Sequence, residues 1–581
     1  MKDATASNAA RPKRRVKKKA STNMNMNNPY SKQSSRKSSV EIGLVFSLLI
    51  LGLYWFGFFE SVRSLPPIKV PLVDRRHLGG NLNPATATID TPNDGSGGGI
   101  VHVPLDNNNA ADKTTTTTAT GVLKRTEASS FTVPDQTWPV SVRNENNFQD
   151  IIHPGDNKTQ MSVPAFWSPP IHNNGLMTKE AALKIGSCSK PDANGNYNRG
   201  EDCPPDDRTI YFAIASYRDF QCRLTVESAF SRAKNPNRIR VGVVDQIVDG
   251  EDVPCDQPIE PCDKNPKQAL CMYKDQVDVY QMEAELSIGP VFARHIGHRM
   301  YRGEYYYTQS DAHVTYVVGW DEDIVGQFES LNNEMAVLTT YLTDVQGSIG
   351  KNGESLRKTR PIMCNTDYEG GPAGNQHLRH GSQPERMPAV AGEPQAQPYW
   401  AAGYSFSRGH FVVNVPYDMY QPMVFQGEEM SIGIRGFTVG YDMYAPSRSA
   451  CFHHYAVGEN AKTRNKVPHF WENAREYKGI GKKAMQRLLG IVRMNPEVPV
   501  GEWDHREEDV YGLGGVRTPE KFYETFGIDV IQKKTEHHLC SFVDQGAKMH
   551  LMFTPFLRPD GMGIDYSQIT YRFKDPRPGQ K

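Results

Sequence analysis

"TIYFAIASYRDFQCRLTVESAFSRAKNPNRIRVGVVDQ", Thr209 to Gln246, changes its hydrophobic period twice. The first eight residues form an apolar run of strand length. From Cys222 the apolar positions Leu224, Val226, Ala229 and Phe230 follow helical spacing, and Asn235-Pro236 breaks that pattern. A second apolar run, IRVGVVDQ, then delivers Asp245 at its end. Strand, helix, strand in this order predicts an α/β domain with a mostly parallel sheet. In open sheets of this kind ligands bind beyond the carboxyl ends of the strands, which makes Ser216, Tyr217, Arg218 and Asp245 candidate ligand contacts. Helix and turn capping is the plainer role for each of them.

Downstream the same grammar repeats. GPVFARHIGHRMYRGE predicts a helix opening at Pro290, and EYYYTQSD predicts a strand that carries Asp311 to the same sheet edge. His313 follows two residues later. If the extension persists, carboxylate and imidazole share one face, a pair able to hold one divalent cation. The nearby Asp321-Glu322-Asp323 precedes Ile324, Val325, Phe328 and Leu331, the pattern of a helix start where acids favour the positive end of the dipole. We read that triplet as structural. Further on, Glu428-Glu429 heads a predicted helix with Met430, Ile434 and Phe437 on one side, and SACFHHY places His453 and His454 together. Dipole-favoured acids and ordinary buried imidazoles are the bland readings of these last two features.

The formal charge is zero, with 66 basic and 66 acidic residues, yet residues 1–40 hold 11 Lys or Arg against one acid. The remainder is therefore net acidic. A basic run spanning residues 11–19 suggests a nucleic-acid arm in isolation, but Ile42 to Phe59 follows as 18 residues without a charge, close to the ~20 needed to cross a bilayer. Positive charge ahead of the span predicts residues 1–40 as a cytosolic tail, 41–60 as a membrane anchor and everything after it as luminal, with no nucleic-acid partner. Residues 61–205, rich in Pro, Gly, Asn and Thr, predict a low-complexity disordered stem. Asn157-Lys158-Thr159 is an N-glycosylation sequon accessible under that topology. All nine cysteines lie on the luminal side, where disulfides form, and the odd total leaves at least one without an intrachain partner.

Four ordered blocks within residues 208–530 make the pattern specific: IYFAIASYRDFQCRLTVESAFSRAKNPNRIRVGVVDQ, GPVFARHIGHRMYRGEYYYTQSDAH, VFQGEEMSIGIRGFTVGYDMYAPSRSACFHHY and GLGGVRTPEKFYETFGIDV. Together they resemble the polypeptide α-N-acetylglucosaminyltransferases, the enzymes acting on hydroxyproline or threonine. The middle blocks are distantly similar to the mucin-type N-acetylgalactosaminyltransferases. The resemblance implies a Rossmann-like GT-A fold over 206–530, with 531–581 as a C-terminal extension packed on it. It also implies a UDP-sugar donor, UDP-GlcNAc, with Mn2+ as cofactor and a protein or peptide hydroxyl as acceptor. It makes Asp311, His313 and His453 metal ligands, with His454 the rival for the third place. Arg218, Asp245 and Arg294 are implied around the nucleotide, and Trp400, Glu428 and Glu429 at the sugar and acceptor. The Gly- and Pro-rich insert from Asn365 to Gln397 is implied as an acceptor-side loop. An inactive membrane-tethered binding protein on the same fold, and a transferase using UDP-GalNAc or UDP-Gal, are the alternatives. A dinuclear metallophosphatase is excluded, since the chain has neither a G-D-x-x-D nor a G-N-H pattern. Residues 512–515, GLGG, lack the Lys-Ser/Thr of a phosphate loop. With its anchor, the chain is expected in the Golgi membrane with a single-pass type II topology.

Overall fold

The computed structural model describes residues 148–167, 176–369, 376–380, 389–496, 501–536, 539–540, 543 and 548–569. The basic tail, the proposed anchor at 41–60 and the first part of the stem lie outside the described residues. Among the described residues no helix is long and apolar enough to cross a membrane.

The chain first forms a hairpin of β1 (Phe148–Ile152) and β2 (Gln160–Pro164). Then come β3 (Ile210–Tyr217), α1 (Cys222–Ser231), β4 (Ile239–Ile247), β5 (Val277–Glu283), α2 (Pro290–Arg299) and β6 (Tyr306–Asp311). They lead into β7 (Val314–Tyr316), α3 (Trp320–Glu329), β8 (Ala336–Thr339) and a hairpin of β9 (Thr366–Glu369) and β10 (His377–His380). The last part holds β11 (Gln395–Ala396), β12 (Tyr404–Arg408), α4 (Glu428–Val439), β13 (Asp442–Ala445), β14 (Cys451–His453), α5 (Gly458–Arg464), α6 (Ile480–Ile491) and α7 (Pro519–Thr525).

Eight strands make one sheet in the order β11-β13-β8-β12-β6-β3-β4-β5. Neighbours β6, β3, β4 and β5 are parallel, as are β8 and β13, while β12 runs antiparallel to both β6 and β8. The fold is therefore α/β with a mixed, mostly parallel central sheet. Strands β3 and β4 are mainly apolar because both faces are covered, and β4 is buried at all nine positions, with its Arg240 paired to Asp278 and Glu304. Each Val, Ile or Phe buried there contributes about 1.5–3 kcal/mol relative to exposure. Gly242 in β4 is required by packing: a Cβ would lie 2.4 Å from the Tyr211 hydroxyl, which donates to the Gly297 carbonyl of α2. That contact seats α2 against the sheet.

The described residues include part of the segment whose composition suggested a stem. Met161 and Val163 of β2 are in the hydrophobic core, β2 packs on α2, and Cys188 is bridged to Cys203. A few apolar anchors and one crosslink suffice to order a stretch whose Pro, Gly and Asn content looks featureless. At the other end Cys540 is bridged to Cys364, the Ile564 N–H donates to Asp442 at 2.8 Å, and Arg517 donates to the Ile564 carbonyl. The described residues after 530 are thus joined to the domain.

Candidate functional site

Asp311 is the last residue of β6 and lies opposite Ala215 of β3, at the carboxyl edge of the parallel strands. The strand does not continue to His313. Ala312 and His313 form a bend, pinned by Thr225 of α1, whose hydroxyl lies 2.7 Å from the Ala312 carbonyl and 3.0 Å from both the Val314 carbonyl and N–H. The bend, rather than strand alternation, turns the imidazole toward the carboxylate. Beyond it β7 pairs antiparallel with β14 in a register that sets Val314 opposite His453. A residue 140 positions downstream of His313 is thereby brought beside it, with ring centroids 4.5 Å apart.

One ligand atom from each of Asp311, His313 and His453 lies within 4.8 Å of the other two. The His453 Nε2 is 3.4 Å from Asp311 Oδ2, and its Nδ1 is buried with no hydrogen-bond partner among the described residues. Burial holds His453 below the ordinary imidazole value, which favours the neutral form with a lone pair to donate. His313 donates through Nδ1 to Asp219 Oδ2 at 2.6 Å, so Nε2 is left as its acceptor nitrogen. This carboxylate-imidazole arrangement is the usual outer support of a metal-binding histidine. Burial raises the Asp219 carboxyl, but His313 and Arg464, whose Nη2 is 3.4 Å away, outweigh it and leave it lowered. One carboxylate oxygen and two imidazoles suit a borderline divalent cation such as Mn2+ or Zn2+. His454 is not part of this group: its Nε2 is 2.7 Å from the Thr315 hydroxyl.

Arg294 of α2 links the cluster to the head of α4. Its Nη2 donates to Asp311 Oδ1 at 3.0 Å and its Nη1 to Glu428 Oε1 at 2.5 Å, with Arg294 and Glu428 both buried. Burial raises the Asp311 carboxyl, but His453, Arg294 and His313 together hold it far below the usual range. Glu429 accepts from the Tyr341 hydroxyl at 2.7 Å and the Ala402 N–H at 3.1 Å, and burial pushes its carboxyl up to about 7. These groups line one cleft of about 240 Å3, with Arg379 of β10, Phe425 and Tyr455 on its walls. Gly403 presents bare backbone to Asp311, since a Cβ there would come within 3.0 Å of Oδ2.

Of the residues expected at the site, Arg294, Asp311, Glu428, Glu429 and His453 line this cleft, and His313 joins it through the bend. Ser216, Tyr217, Arg218 and Asp245 lie together at the carboxyl ends of β3 and β4 but do not line it. Arg218 is taken up by Asp252 at 2.7 Å and Glu251 at 3.0 Å, so its charge is spent within the protein. Asp245 accepts from the Cys255 N–H at 2.8 Å and is pushed up to about 6 by burial. Trp400, expected at the sugar, is 1% exposed and packs behind α4, its Cβ in contact range of Gly433 and its ring 6.4 Å from that of Tyr417. An aromatic side chain of that size, buried beside a glycine-bearing helix, is core, and Trp400 is not among the residues that line the cleft. Sequence reading missed Asp219, Tyr341, Arg379, Tyr455 and Arg464. Asp219 alone carried a signal, being a charged residue two positions past the end of β3, next to Arg218.

No curated protein sequence matches this chain. The solved structure of GalNAc-T7 with UDP, GalNAc and Mn2+ aligns with a TM-score of 0.39 and 15% identity, covering 62% of this chain and 61% of that one. The model of the GlcNAc glycosyltransferase family matches residues 209–262 and 257–532, more than half of the chain and every element that builds the cleft. The chain belongs to the glycosyltransferase (GlcNAc) family.

Proposed function

We propose that this glycosyltransferase is a metal-dependent, retaining enzyme of GT-A fold that moves N-acetylglucosamine from UDP-GlcNAc to a Ser, Thr or hydroxyproline hydroxyl of a protein. The observation that carries the reading is the convergence of Asp311, His313 and His453 beside the Arg294–Glu428 pair. Asp311, His313 and His453 would hold a divalent cation, whose chemistry when bound would be Lewis-acid neutralisation of diphosphate charge. Asp219 holds the His313 ring in the tautomer that leaves Nε2 as acceptor. Arg294 adds a fixed positive charge at the same spot, already ordered by two carboxylates, so little reorganisation accompanies the reaction.

Neither glutamate is placed as a free nucleophile. Glu428 is neutralised by Arg294, and Glu429 is held by Tyr341 and Ala402. This supports attack by the acceptor hydroxyl from the face the diphosphate leaves, with Glu429 and Tyr341 orienting sugar or acceptor hydroxyls. Ser216, Tyr217 and Asp245, at the neighbouring strand ends, are assigned to the nucleoside. We place the enzyme in the Golgi membrane, anchored through residues 41–60 with the cleft luminal.

The test is transfer of label from UDP-[3H]GlcNAc to peptides bearing Ser, Thr or hydroxyproline, with Mn2+ and with EDTA, run alongside UDP-GalNAc and UDP-Gal. Label incorporated from UDP-GlcNAc in Mn2+ and abolished by EDTA supports the assignment. Faster transfer from another donor overturns the choice of sugar, and nucleotide binding without any transfer overturns the enzymatic reading.

A further inference from the structure

We propose that Asn157 carries an N-linked oligosaccharide. Asn157-Lys158-Thr159 is the single Asn-x-Ser/Thr triplet in the chain with x other than Pro, and it occupies the turn between β1 and β2. Asn157 is exposed at the tip with φ +54, a left-handed conformation that asparagine tolerates better than most residues. Its N–H closes the turn on the His153 carbonyl at 3.0 Å. Its carboxamide makes no hydrogen bond among the described residues, so none of them competes for it. The hairpin beneath is fixed: His153 lies 3.0 Å from the Leu286 carbonyl and meets the Phe292 ring edge-on.

The second observation is independent of the motif. Eight of the nine cysteines are joined in four bridges, 188–203, 222–255, 262–271 and 364–540, and the ninth, Cys451, is buried. A chain crosslinked to this extent folds in an oxidising compartment, where exposed Asn-x-Ser/Thr asparagines are modified. The turn also sets the timing. Asp156 accepts from the Lys158 and Thr159 N–H groups and, at 2.6 Å, from the Thr159 hydroxyl, so the closed turn occupies the threonine that defines the sequon. Modification therefore precedes closure, and the finished hairpin presents the sugar to solvent. Chemically, Asn157 Nδ2 bonds to C1 of an oligosaccharide carried as a lipid-linked diphosphate. The C1–O bond to phosphate breaks, the lipid diphosphate leaves, and one amide proton passes to a base of the transferring enzyme.

The full chain, expressed in a eukaryotic secretory pathway, is treated with peptide-N-glycosidase. Wild type and Thr159→Ser are expected to shift by one discrete step, with Asn157 recovered as Asp in the released peptide. Asn157→Asp, which suits the same backbone conformation, is expected not to shift. Recovery of unmodified Asn157 from the wild-type chain overturns the proposal, as does a shift that survives in Asn157→Asp. Neither outcome bears on sugar transfer in the cleft, which is assayed separately.

Discussion

Replacing Asp219 with alanine isolates the support given to the metal cluster from the ligands themselves. Asp219 is nearly buried, with its side chain 3% exposed, and the described bonds of its carboxylate run to His313 at 2.6 Å, Arg464 at 3.4 Å and the Gln221 N–H at 2.9 Å. The Asp219→Ala chain keeps all three candidate ligands but frees the His313 ring to rotate and removes the acceptor that fixes its tautomer. Loss of such an outer partner costs about 10–100-fold in metal affinity. At 1.4 kcal/mol per tenfold that is about 1.4–2.8 kcal/mol of binding free energy. Asp219→Asn retains an acceptor oxygen without the charge, and its loss is expected near the ~10-fold end. The assay is calorimetric titration of Mn2+ into wild type, Asp219→Ala, Asp219→Asn and His313→Ala, the last setting the floor. Wild-type affinity in a folded Asp219→Ala chain would refute the argument that His313 is a ligand oriented through Nδ1.

Three other outcomes follow from the same geometry. His453→Ala is expected to weaken Mn2+ binding by more than the ~100-fold upper range for an outer-shell change, whereas His454→Ala, which removes the imidazole contact to Thr315, leaves it unchanged in the same titration. Asp321→Ala strands the buried Arg238 guanidinium and removes the acceptor of the Lys234 and Asn235 N–H groups, costing about 3–5 kcal/mol in denaturant unfolding without altering Mn2+ affinity of the folded protein. Glu429 is raised from 4.5 to about 7, so the native state binds a proton that the unfolded state releases first. Its contribution therefore lowers stability as pH rises from about 4.5 to about 7, and Glu429→Gln is expected to flatten that part of a melting temperature against pH series in metal-free buffer.

Much of this fold was legible in periodicity. The strand-helix-strand unit from Ile210 to Ile247 and the helix opening at Pro290 stand where the apolar spacing put them, because the two parallel strands are largely buried and filled mainly by apolar side chains. The acidic triplet at 321–323 was equally readable: all three acids occupy the first turn of α3, and Asp321 ties down the loop before β4. Composition misled at residues 148–167 and 176–205, where sparse anchors are invisible in an average. Trp400 was misplaced because a large aromatic between two glycine-bearing segments carries the same signal at a sugar site and in a core.

Sequence alone, then, determined the element order, the strand end that bears Asp311 and the short list of metal-binding residue types. The resemblance preferred His453 to His454, and the physical reason for that preference is the β7–β14 register, which brings one imidazole to His313 and turns its neighbour to Thr315. Likewise Asp219 became a partner of His313, and Arg294 a bridge from Asp311 to Glu428, through packing of α1, α2 and α4 on the sheet edge. Local sequence encodes dihedral preference and burial over a few residues. Distances between side chains more than a hundred positions apart are set by strand pairing and helix packing, so only the tertiary structure could decide which of the candidates share a site.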